Sequence, residues 1–198
     1  NLVSNTGVVA TDTSGVGTAR YSLAAAGYGT DKAIFGGGSA PTAITSLVSN
    51  TGVVASDTAG VGTARQNAAG TGYGGDKAMF GYGAGPVSMT NLISNTGVVA
   101  TDTTGVGTAR YGLAAAGYGS DKAIFGFGNT GTVTSITNLV SNTGVVATDT
   151  TGVGQARAYP GAASYGGDKA IFGFGYTPTP VSMTNLVSNT GVVSADTT

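Results

Sequence analysis

The sequence predicts an all-β protein, a β-propeller of four-stranded blades, and three observations carry that prediction. A nearly invariant segment returns at fixed intervals. LVSNTGVV begins at Leu2, Leu47, Leu139 and Leu186, with the variant LISNTGVV at Leu92, so the spacings are 45, 45, 47 and 47 residues. Between these segments lie short runs of Val, Thr, Ile and Ala bounded by glycine-rich turns, with no capped stretch of helical periodicity. The runs LAAAG and KAIFGF are apolar or small at nearly every position. Such continuous patterning marks strands covered on both faces. A period of roughly 40–50 residues with four short strands matches a propeller blade, whereas a solenoid coil is shorter and a sandwich needs no repeat.

Two further motifs fix the phase. DKAIFG or DKAMFG begins at Asp31, Asp76, Asp121 and Asp168, and an arginine recurs at Arg20, Arg65, Arg110 and Arg157. Leucine-to-arginine spacing is 18 and arginine-to-aspartate spacing is 11 in every repeat. All variation in length therefore lies between DKAIFG and the next leucine, in residues 128–137 and 175–184, which reads as an exposed loop. The repeats are 15–59, 60–104, 105–151 and 152–198, with an extra hairpin at 1–14.

In the third repeat the expected strands are 111–117 (YGLAAAG), 122–127 (KAIFGF), 135–140 (SITNLV) and 145–150 (VVATDT). The turn SNTG at 141–144 carries the Asn and Gly that hairpins favour. Four Arg-to-DKAIFG halves face five LVSNTGVV halves, so the ring is expected to hold four or five blades.

Composition narrows the function. Thirty-six glycines without a Gly-X-Y period exclude collagen, and the β-branched content argues against disorder. Only 9% of residues are charged, against about 25% in ordinary chains. Histidine, cysteine and tryptophan are absent. Zinc, haem and iron–sulfur sites of the usual kinds are therefore not expected, nor are disulfides, and no cofactor is expected at all. A net charge of −1 argues against nucleic acid and anionic membranes as partners. No 18-residue apolar run offers a membrane-inserting helix. The sequence opens inside a repeat at Asn1, and any leader or upstream domain is expected to be removed or not included.

The charged residues are themselves periodic. All eight positive charges are the four arginines and Lys32, Lys77, Lys122 and Lys169; all nine negatives are Asp. The expected role is Arg–Asp pairing and Asp capping of turns, because recurrence in every repeat suits framework better than a unique site. Equivalent carboxylates in equivalent surroundings do not separate into acid and base, so glycoside hydrolysis is not expected. A serine nucleophile would lack its histidine. GVGTAR lacks the lysine and helix of a phosphate loop and reads as a turn. Tyr28, Tyr73, Tyr118 and Tyr165 precede each DK pair. They are the ligand-binding candidates, as exposed rings on which a sugar face stacks, beside the plainer reading of rings packed on a neighbouring blade.

The stretch ARYGLAAAGYGSDKAIFGFG, residues 109–128, resembles a kelch repeat of the wider galactose-oxidase-like propeller group. The resemblance lies in an arginine before a small-residue strand, a turn, and a strand ending in aromatic–Gly. Only Gly36–Gly37 gives the glycine doublet of that family; Tyr82, Phe127 and Phe174 stand in the second place, and the family's last-strand tryptophan is absent. The resemblance implies a binding scaffold or a copper oxidase, and the oxidase's copper ligands include histidine, which this chain lacks. The Gly/Thr/Ala-rich repeats are also similar in composition to virion fibres, phage tail-associated proteins and secreted adhesins. The expected function is a non-enzymatic structural or binding module on an extracellular or virion surface, as part of a larger assembly. It would present repeated uncharged loops to a protein or glycan surface. The alternative is a kelch-type intracellular protein–protein scaffold.

Overall fold

A computed structural model describes residues 1–198. It is all-β, without helices, and each repeat forms one three-stranded antiparallel sheet. The first sheet is β1 (Ala24–Tyr28), β2 (Lys32–Gly36) and β3 (Thr45–Val48); the second is β4 (Ala69–Tyr73), β5 (Lys77–Gly83) and β6 (Val87–Ile93). The third is β7 (Ala114–Tyr118), β8 (Lys122–Gly126) and β9 (Thr137–Val140). The fourth is β10 (Gly161–Tyr165), β11 (Lys169–Gly173) and β12 (Thr184–Val187).

The expectation of four strands per blade is corrected to three. The fourth segment touches the third strand only through isolated bridges, Val140↔Val146 and Thr137↔Thr150 in the third repeat. The cause is a side chain that takes the place of the ladder between them. Asn138 Nδ2 donates to the Ala147 carbonyl at 3.0 Å, as Asn91 does to Ala100 and Asn185 to Ser194. The two bridges are out of register by one residue, and the asparagine bond spans that irregular stretch.

Two strand ends also move. The first strand starts at Ala114 because the residue two before it, Gly112 (φ 59), is left-handed, as are Ser22, Asn67 and Tyr159 in the other repeats. The second strand stops at Gly126, before the left-handed Phe127 (φ 64), and at Gly173 before Phe174; β5 passes through the equally left-handed Tyr82 to Gly83 with a shift of register there. An aromatic residue in that region is strained, and it persists only where its surroundings hold it.

Antiparallel order puts two turns at one end of each sheet. The turn after β1 and the SNTG turn lie together, tied by Asn50 Nδ2 donating to Asp31 Oδ2 at 3.2 Å. The variable loop and the arginine segment occupy the opposite end. That loop is exposed at its tip, at Thr130, Gly131 and Thr132.

The core lies between sheets, not within them. One apolar cluster joins Ala24, Ala26, Tyr28 and Ile34 of the first repeat to Ala78, Phe80 and Ile93 of the second. Two others join the second repeat to the third and the third to the fourth. Each apolar cluster spans two repeats, so stability resides largely in these nearest-neighbour interfaces. The four first strands line a shared groove of about 480 Å³. The arrangement is an open series, because the first and last sheets each keep one uncovered face.

Candidate functional site

Each arginine forms a clasp that closes its own repeat. Arg110 donates from Nη2 to Asn138 Oδ1 (2.7 Å), from Nη1 to the Thr108 carbonyl (3.1 Å) and from Nε to the Phe127 carbonyl (2.8 Å). Its stem lies against Gly128, where a Cβ would come within 3.4 Å of Arg110 Cδ. In the first repeat Arg20 pairs with Asp57 at 3.2 Å; Arg65 pairs with Asp102 and Arg157 with Asp196. Each of these aspartates also accepts a backbone N–H from the GVGTAR segment or its equivalent: Thr18 to Asp57, Thr63 to Asp102, Thr108 to Asp149 and Gln155 to Asp196. These arginines and aspartates are thus framework, joining the start of each repeat to its end.

The arginine also reaches the preceding repeat. Arg110 lies 4.3 Å from the centroid of the Tyr82 ring, and Arg157 lies 3.8 Å from that of Phe127. The same rings meet a phenylalanine of the next repeat edge-on, Tyr82 on Phe125 at 5.1 Å and Phe127 on Phe172 at 5.3 Å. Tyr82 and Phe127 are therefore each wedged between an Arg and a Phe of the following repeat, which offsets their backbone strain.

Burial lowers the pKa of Arg65, Arg110 and Arg157. The Thr18 N–H, helped by Ser46 and Arg20, holds the Asp57 carboxyl down to about 2. Burial works against the charges of Asp102 and Asp149, but bonds from Thr63 and Asn91, and from Thr108 and Asn138, outweigh it and keep both below the usual value. A carboxylate with a depressed folded-state pKa contributes stability that is present above its unfolded value, near 4, and disappears as pH falls through the folded value. The urea midpoint is expected to hold from pH 7 to about pH 5 and to fall steeply between about pH 4 and pH 2. A midpoint unchanged at pH 2.5 would contradict the clasp.

The four candidate tyrosines do not form one exposed set. Tyr28, Tyr73 and Tyr118 are 4–5% exposed. Their rings lie against the SNTG turns of the next repeat, so a Cβ on Gly97, Gly144 or Gly191 would come within about 3.0 Å of them. No ring face remains there for a sugar, and burial raises the pKa of Tyr73 and Tyr118. Tyr165 is 40% exposed, because no repeat covers it.

A different periodic feature is exposed. The valine after each SNTG turn, at Val8, Val53, Val98, Val145 and Val192, is 65–66% exposed in every repeat. Ser49 Oγ accepts the N–H groups of Thr51 (3.3 Å) and Val53 (3.1 Å), which fixes the knuckle, and the other turns repeat the pattern. Sequence reading placed this turn but not its exposed valine, since VVATDT reads as strand from its first residue. The signal was the odd parity of Val53 against the packed Val54.

At the same end each lysine bonds its neighbouring aspartate, as Lys77 does Asp76 at 2.7 Å. Such exposed pairs are worth little. No three His, Cys, Asp or Glu side chains converge in a way that would hold a metal ion. No protein-family model matches this chain, and no curated protein matches its sequence.

Proposed function

We propose that this chain is a non-enzymatic structural and binding module, a propeller-type series of sheets that presents one surface motif many times over. The observation that carries this reading is the row of five SNTG knuckles, each with its valine equally exposed and its neighbouring Asn and Thr in solvent. Unpacked valines held on rigid turns at regular intervals suit a partner engaged by many weak equivalent contacts. The low charge of the surface suits a neutral partner, a protein or glycan surface outside the cell or on a virion. The kelch-type protein–protein scaffold is the second reading, favoured by the recurrent Arg set against the aromatic–Gly strand end.

A printed glycan array probed with the purified chain tests the first reading. The expected result is a reproducible hit that survives Val98→Asp alone but falls more than tenfold when Val53, Val98, Val145 and Val192 are all changed to Asp, as avidity requires. A hit indifferent to the fourfold change removes the knuckles as the binding face. An array without hits leaves a protein partner as the reading to pursue.

A further inference from the structure

The two ends of the series are unfilled copies of the interface that occurs three times inside it. On the last sheet Phe174 is 63% exposed at φ 60, whereas its counterparts Tyr82 and Phe127 are fully buried by the next repeat's Arg and Phe. Gly36, Gly81 and Gly126 each lie under a phenylalanine ring of the following repeat; Gly173 has none over it. Inside the series Gly29, Gly74 and Gly119 donate their N–H to the next repeat's Asp76, Asp121 and Asp168 carbonyls. Gly38, Gly83 and Gly128 donate likewise to Arg65, Arg110 and Arg157. The corresponding N–H groups of Gly166 and Gly175 have no backbone partner, and at the other end the Arg20 and Asp31 carbonyls accept none.

The hairpin of residues 1–14 repeats the outer half of such a unit. Asn1 Nδ2 donates to the Ala10 carbonyl (2.9 Å) and to Asp12 Oδ1 (2.6 Å), as Asn91 does to Ala100 and Asp102. This is the asparagine–aspartate half of a clasp, with no arginine in it. Beside it, between Leu2, Arg20, Leu23 and Phe35, lies a cleft of about 550 Å³. Phe35 is half-buried there, whereas Phe80, Phe125 and Phe172 are buried.

We infer that the gap between the last sheet and the N-terminal hairpin is a receptor for one inner β-hairpin of the repeat's own chemistry. Its pattern is Arg, a small-residue strand, Tyr-Gly, DKAIFG and an aromatic residue. Such a hairpin satisfies both ends at once. Its arginine completes the clasp at Asp12 and stacks on Phe174, its phenylalanine seats on Gly173, and its aspartate and arginine carbonyls take the Gly166 and Gly175 N–H groups. Its own turn and strand-end glycines donate to the Asp31 and Arg20 carbonyls, and its last aromatic fills the cleft over Phe35. The partner is thus polypeptide, and binding it turns the open series into a closed ring of five. The surface is continuous with an interface already formed three times, which identifies the occupant.

The test titrates a labelled synthetic peptide of residues 107–128 against the full chain by fluorescence anisotropy, with sedimentation of the chain alone. The expected result is saturable one-to-one binding that raises the thermal midpoint, on a chain that sediments as a monomer. Gly173→Ala and Phe174→Ala should each weaken binding at least tenfold while leaving the midpoint of the free chain unchanged. A peptide with its arginine replaced by alanine should bind at least tenfold more weakly. Absence of saturable binding, or binding indifferent to Gly173 and Phe174, overturns the inference. Concentration-dependent dimerisation abolished by Phe174→Ala also overturns it, because the face would then belong to a second copy.

Discussion

Replacing Arg110 by leucine is expected to lower the unfolding free energy by about 3–5 kcal/mol. Arg110 is fully buried, and the change leaves Asn138 Oδ1 and the Thr108 and Phe127 carbonyls without their donor. It also takes the cation from the face of Tyr82, a ring already in a strained backbone conformation. For a chain of this length the thermal midpoint should fall by about 10 °C. Lysine should not rescue it, since one ammonium cannot reproduce a planar fork aimed at three acceptors. Because Arg110 acts across the junction of the second and third repeats, the damage should also split the unfolding transition, with tyrosine fluorescence and far-UV circular dichroism no longer coinciding. A leucine variant within about 1 kcal/mol of the parent would show that the clasp is geometric only.

Gly126→Ala is expected to destabilise by about 2–3 kcal/mol, because the new methyl would lie 2.7 Å from Phe172 Cζ, on a ring that is fully buried. The same substitution at Gly173 meets nothing nearer than Thr184 Cγ2 at 3.4 Å. It should change stability by no more than about 0.5 kcal/mol. The two glycines occupy one position of one motif and differ only in whether another repeat follows. Urea unfolding of both variants separates packing between repeats from any strand preference of glycine. Equal effects at the two sites would contradict an interface built of Phe on Gly.

The pattern of DKAIFG shows why one feature was readable from sequence and another was not. Its alanine, isoleucine and phenylalanine are all apolar because the strand is covered on both sides, and continuous apolarity is visible in a string of letters. The residue after FG is not readable in that way. Gly37, Tyr82, Phe127 and Phe174 differ in type yet share one left-handed conformation, and only contact with the next repeat explains an aromatic there. The tyrosines before DK are a similar case. A ring between Gly and Asp has the composition of a sugar site, and its burial is decided by a glycine turn 69 to 73 residues further along the chain, as with Tyr28 and Gly97 or Tyr118 and Gly191.

The missing fourth strand is decided within the repeat itself. VVATDT has strand composition, but Asn138 lies across from it and binds the Ala147 carbonyl, and Asp149 is drawn to the Thr108 N–H. The first contact spans nine residues, whereas the second joins residues 41 apart and is invisible in local composition.

By itself the sequence determined the period, the all-β class, the place of the turns and the pairing role of its few charges. Each of these follows from local composition or from recurrence, and recurrence is preserved in one dimension. Tertiary structure alone decided which periodic residues are buried and that each sheet keeps three strands. The second is decided within each repeat; the first depends on which repeat lies beside which, because a sheet with two apolar faces has no stable form until a neighbour covers them.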